Sequence, residues 1–179
     1  MDLSATIKGR EQEIIDLVTA TFTASEGASE GTLIGGLTRD LLEGTPEEDL
    51  FVFVAEEGGV ILGAILFSRL AYPQDGRVAF LLAPVAVATA RQGQGIGQTL
   101  LSHGLSALRE AGVDIVLTYG DPNYYSKVGF QQISETIARP PFELSLPHGW
   151  LAQSLGTQEM TPLKGPSTCA AALSDPAFW

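Results

Sequence analysis

Residues 91–97 read Arg91-Gln92-Gly93-Gln94-Gly95-Ile96-Gly97, set between an apolar run that ends near Val87 and a leucine-spaced run that begins near Gln98. A glycine-rich loop entering a helix brings backbone N–H groups close to an anionic phosphate group, because the first amides of a helix have no partner inside it. Two familiar uses of such a loop do not fit. A P-loop needs lysine and then serine or threonine after its last glycine, whereas Gln98 and Thr99 follow Gly97. A dinucleotide fingerprint needs a third glycine three positions after the second, and an acidic residue at the end of the next strand to hold a ribose. Gln98 stands at the first position and nothing acidic at the other. ATP hydrolysis and redox-cofactor binding are both disfavoured.

Outward from the loop, Arg77 to Val87 reads as a strand in which Pro84 removes a ladder donor, so a bulge or an unpaired edge is expected there. On the other side Leu100, Leu101, Leu105 and Leu108 recur at helical spacing, Gly112 ends the helix, and Val113 to Tyr119 forms the next strand. Strand, loop, helix and strand make a βαβ unit. Upstream, Phe51 to Val54 and Val60 to Leu70 flank Gly58-Gly59 as a β-hairpin. Ile14, Ile15, Val18 and Phe22 place one amphipathic helix over Arg10 to Ala24, and Leu33, Ile34, Leu37, Leu41 and Leu42 a second, closed near Gly44 and Pro46. Leu3 to Ile7 is a short first strand. Hairpins make antiparallel pairs and crossovers parallel ones, so this order predicts an α/β (α+β) fold with a mixed, mostly antiparallel sheet flanked by helices.

The chain has 179 residues, 45% hydrophobic and 17% charged, which suits one domain spanning 1–179. Six of the ten prolines lie from Pro140 to Pro176, so residues 134–179 are expected as an irregular extension of short strands and ordered loops packed on a core of residues 1–133. No apolar run reaches the ~18 residues of a membrane span, and Met1 to Arg10 lacks the pattern of a signal peptide. A cytoplasmic protein without membrane contact is expected. Cys169 is the lone cysteine, and two distant histidines, His103 and His148, add little toward a metal site. The net charge of −11 argues against nucleic acid as a partner. It is uneven: residues 1–57 hold 13 acidic and 3 basic side chains. That run is either a solvated, solubilising helix face or a field that attracts a cationic substrate.

The pattern Gln92-x-x-Gly95-x-Gly97 resembles the pyrophosphate-binding motif of the GNAT superfamily of acyl-coenzyme A-dependent N-acyltransferases. Tyr125-Ser-Lys-Val-Gly129-Phe130 is similar to the family's Tyr-x-x-x-Gly-Phe segment, and the wider run from Gly120 to Phe130 looks like its YhbS-type branch of predicted acetyltransferases. The resemblance covers Arg10 to Phe130 and implies a sheet whose two central strands splay at the cofactor site. It implies that Val85, Ala86 and Val87 bind the pantetheine arm of acetyl-coenzyme A through main-chain groups. Gln92, Gly93, Gln94, Gly95, Ile96, Gly97 and Gln98 would surround the pyrophosphate. Tyr125 takes the place of the general acid, since a phenol donates a proton while neutral.

Two departures follow. Thr118 stands where many members carry an asparagine on the pantetheine arm, with Asn123 as the compensating residue or simply a turn former. No acid lies from Arg77 to Gln98, so the base is sought in Glu26 or Glu30, residues better suited by position to a solvated or helix-end role, with Glu30 as the lead. Arg91 and Lys127 are either contacts for the remaining phosphate or surface charges. Cys169 is far from both motifs, which favours direct transfer over an acyl-cysteine. The resemblance therefore implies an N-acetyltransferase acting on a primary amine of a small cationic molecule, without metal, as a monomer or homodimer. A non-catalytic acyl-coenzyme A sensor is the alternative.

Overall fold

The computed structural model describes residues 1–179. Its strands are β1 (Asp2–Ser4), β2 (Leu50–Glu57), β3 (Val60–Arg69), β4 (Ala79–Val87), β5 (Ile115–Tyr119), β6 (Gln131–Gln132) and β7 (Trp150–Ser154). The helices are α1 (Glu11–Glu26), α2 (Ala28–Gly44), α3 (Ile96–Glu110) and the single turn α4 (Pro122–Tyr125). One sheet runs β1-β2-β3-β4-β5-β7-β6. Only β4 and β5, joined through α3, pair in parallel. Alternation along the central strands sorts the core into two layers. Val52, Val54, Leu66 and Leu81 face Ile14, Val18, Leu37 and Leu41 of α1 and α2. Phe53, Ile65, Phe67 and Phe80 face Leu100, Leu101, Leu105 and Leu108 of α3. Both faces being covered explains why the hairpin reads as near-continuous hydrophobic sequence.

Two features of β4 create the site. Its register against β3 passes from Ile65 opposite Val85 to Phe67 opposite Leu82, so Ala83 and Pro84 together stand against Leu66 as a bulge. Its pairing with β5 stops at Leu82 opposite Thr118. Residues 83–87 therefore have no neighbour on that side, and the two strands diverge beyond a bond from the Thr118 hydroxyl to the Leu82 carbonyl at 2.8 Å.

Three expectations need correction. The first strand ends at Ser4 rather than Ile7. Helix α3 starts at Ile96, two residues early, because Ile96 and Gly97 are buried at the end of the loop. The larger difference is in the tail: β7 lies inside the sheet, between β5 and β6. Trp150, fully buried, donates from Nε1 to the Ala138 carbonyl at 2.8 Å, and Leu144, Leu163, Leu173 and Trp179 share the core under α1 and α2. Residues 134–179 thus build the same core as residues 1–133.

Candidate active site

The divergence of β4 from β5 opens a cleft of about 920 Å3. In the antiparallel β3–β4 ladder, Ala88 donates to Leu62 at 2.7 Å, so alternation turns the main-chain groups of Val85 and Val87 away from β3 and toward the cleft. The Val87 carbonyl is already taken, by Gln92 Nε2 at 3.1 Å and the Thr21 hydroxyl at 3.3 Å. What the strand still offers is the Val87 N–H and both main-chain groups of Val85. Ala86 between them is buried, directs its backbone to β3 and does not line the cleft.

At the other end, Gly93 (φ +78°) and Gly95 (φ +82°) turn the chain into α3. These positive angles suit glycine, and a Cβ built at either position meets no atom within 4 Å. The amides of residues 93–98 donate no hydrogen bond within the chain. Six consecutive free donors at a helix start form an anion cradle. Gly93, Gly95, Ile96, Gly97, Gln98 and Gln92 line the cleft; Gln94 does not, its Oε1 accepting from Arg91 Nε at 3.1 Å. Arg91 and Lys127 are the cations at this end, the former also paired with Glu57 at 3.3 Å.

Tyr125 sits in the middle. Its ring is held edge-on between Phe130 at 5.7 Å and Tyr124 at 5.0 Å. Burial pushes its phenol well above the usual tyrosine range, the Tyr124 phenol adds to the rise, and Thr118 opposes it. The phenol is therefore a proton donor at any ordinary pH. Asn123 is exposed and outside the lining, its N–H spent on the Asp121 carboxylate at 2.9 Å that starts α4. Tyr124 takes the place near the loop instead: a Cβ at Gly97 would overlap its hydroxyl. Its neighbour Tyr125 carried the motif, and nothing in the spacing marked Tyr124.

The opposite side of the cleft is built by α1, α2 and the tail. Phe22, Glu26, Glu30, Ile34, Phe178 and Trp179 are among its lining residues. Glu26 is exposed and Glu30 partly buried in the first turn of α2. The tail residues were invisible to periodicity, because they lie on irregular backbone.

Residues 48–132 match the acetyltransferase (GNAT) domain family. Over 170 residues the chain is 31% identical to YjhQ, an uncharacterised N-acetyltransferase of Escherichia coli K12, covering 92% of this chain and 90% of that one. The chain belongs to the GNAT N-acetyltransferase family, an enzyme family of acyltransferases. Among solved structures, it is similar to a GNAT acetyltransferase from Brucella melitensis in complex with acetyl-CoA, with 26% identity, 97% of each chain covered and a TM-score of 0.74. E. coli YhbS in complex with CoA shares the fold at a TM-score of 0.80 and 23% identity, over 97% of this chain and 92% of that one.

Proposed function

We propose that this chain transfers an acetyl or other short acyl group from acyl-coenzyme A directly to a primary amine of a small cationic molecule. The observation that carries the reading is the row of free amides at residues 93–98, all but Gln94 on residues that line the same cleft as the unpaired edge of β4 and Tyr125. The donors suit a pyrophosphate, and the main-chain groups of Val85 suit the amides of a pantetheine arm, which would pair there like an added strand. Bound coenzyme A would supply the acyl group as a thioester.

The chain's own residues meet the other needs. The Val87 N–H, preorganised and facing the gap, donates to the carbonyl oxygen as negative charge develops on it. Glu30 holds the substrate ammonium and takes one proton, freeing the nitrogen lone pair to attack the carbonyl carbon. Tyr125 gives its phenolic proton to the departing sulfur, which leaves as a thiol, while the attacking nitrogen sheds its second proton to solvent as the adduct collapses to the amide; the phenolate then regains a proton from solvent.

Thermal unfolding with and without coenzyme A tests the assignment, since a ligand that binds only the native state raises its stability with concentration. Coenzyme A should raise the melting temperature, and Gly95→Glu should abolish the rise by placing a carboxylate in the anion cradle. An unchanged rise in that folded variant removes the cofactor assignment.

A further inference from the structure

The two sides of the cleft differ in chemistry. Toward α3 the lining is glycine loop, free amides and the cations Arg91 and Lys127; toward α1, α2 and the tail it is Phe22, Ile34, Leu37, Leu173, Phe178 and Trp179. The N-terminal third is strongly acidic, yet of its 13 carboxylates only Glu26 and Glu30 reach the lining. Others are spent elsewhere, Glu13 and Glu56 on Arg10, Asp49 on Arg69, and Glu57 on Arg91. Along α2, Glu30, Ile34 and Leu37 present one face to the cleft, passing from a partly buried carboxylate to a buried leucine. The rise of the helix spreads them over about 10 Å.

We propose, on the basis of the acyl-transfer reading above, that the acceptor carries its single primary ammonium on a flat apolar body, as an arylalkylamine does. Glu30 takes the ammonium, and Phe22, Ile34, Phe178 and Trp179 take the ring. A polyamine or aminoglycoside carries more ammonium groups than Glu26 and Glu30 can meet on this side, and those left against Phe178 and Trp179 would be desolvated and unpaired, which is costly. The apolar wall is fixed rather than mobile. Trp179 Nε1 donates to the Leu173 carbonyl at 2.9 Å, and the Trp179 carbonyl accepts from the Ser145 hydroxyl at 2.7 Å and the Ser145 N–H at 3.2 Å. Trp150 packs edge-on behind it at 6.0 Å. A preformed aromatic slot with only Glu26 and Glu30 beside it selects by shape and by the scarcity of further charge.

Two readouts test this on the full chain. In the first, 2-phenylethylamine, 3-phenylpropylamine, spermidine and tobramycin are titrated into protein saturated with coenzyme A, following tryptophan emission. The chain has two tryptophans, one in the slot and one behind it, so the arylalkylamines should change emission saturably and the polycations should not. In the second, thiol release from acetyl-coenzyme A should give the arylalkylamines a kcat/KM at least about tenfold above spermidine and tobramycin, on the scale by which apolar pockets discriminate. Phe178→Ala and, on a separate helix, Ile34→Ala should each raise the arylalkylamine KM about tenfold and leave the KM for acetyl-coenzyme A unchanged. A polycation that matches or exceeds the arylalkylamines, silent emission with both arylalkylamines, or unchanged KM in both variants overturns the proposal. Loss of the thermal shift with coenzyme A would instead strike the acyl-transfer reading; a retained shift with any of those results strikes only the acceptor class.

Discussion

Tyr125 combines a fixed ring with a phenol whose proton is held more tightly than that of a free tyrosine. Replacing it with phenylalanine keeps the edge-on packing and removes only the donor, so kcat should fall by roughly a hundredfold while the thermal shift with coenzyme A stays within error. The raised phenol also has a sign. The competent form is the neutral one, and burial extends its range upward, so turnover of the wild type should show no falling limb below pH ~10, where an ordinary tyrosine ionises. A limb that appears near neutral pH and persists in Tyr125→Phe assigns the proton elsewhere. Gly97 poses a second test at this scale. Gly97→Ala forces a methyl group into the Tyr124 hydroxyl, so it should weaken coenzyme A binding. Tyr124→Phe removes the colliding oxygen, and the double variant should recover most of the loss, a non-additivity expected of groups in contact. Additive effects in that cycle would show that Gly97 matters for its backbone alone.

At the scale of elements, the βαβ unit was legible because each part has a local cause: short, near-continuous apolar runs in β4 and β5, leucines on one face of α3, and glycines at the entry and exit of the helix. The bulge was legible for the same reason, Pro84 having no donor to give the ladder. What sets β7 between β5 and β6 is long-range packing of Trp150 and Leu151, which leaves no periodic trace among prolines. The cleft inherits the same split. Its glycine loop could be read, and its tail wall could not. One device that holds the tail in register is Asp75, whose carboxylate takes Arg77 at 2.9 Å and the Lys164 N–H at 3.0 Å while Arg77 grips the Thr161 and Pro162 carbonyls at 2.9 Å. Arg77 and two backbone amides hold the Asp75 carboxyl well below the usual carboxylate range. A depressed folded pKa contributes stability that is complete above the unfolded value, about 4, and is lost as pH falls toward the folded one. Asp75→Asn should therefore cost about 1–3 kcal/mol at pH 7, the range for a charged hydrogen-bond hub left unpaired, and the gap to wild type should narrow by pH 3. A melting-temperature difference that does not depend on pH would show that the contacts act through shape rather than charge.

For the molecule as a whole, the charge asymmetry makes acceptor and cofactor respond to salt in opposite directions. Residues 1–57 carry a net charge of −10 and surround the side of the cleft that holds Glu26 and Glu30. A monocation approaching that side gains from the field, and the gain shrinks as the screening length falls from about 30 Å at 0.01 M salt to about 8 Å at 0.15 M. The acceptor KM should therefore rise with salt, modestly, because only two carboxylates act at contact range. Coenzyme A is anionic and meets a chain of net charge −11, which repels it at long range whatever Arg91 and Lys127 offer locally. Screening relieves that repulsion, so the KM for acetyl-coenzyme A should stay level or fall over the same range. The field also holds the proton on the bound amine, so kcat/KM for the acceptor should climb toward alkaline pH, with Glu30→Gln steepening the dependence by removing the group that takes the proton. Steady-state kinetics at 0.02 and 0.3 M salt, with each substrate varied in turn, decide the matter. Two KM values that move together would mean that the acidic third only keeps the protein dispersed in water, and that recognition of the amine is left to the slot alone.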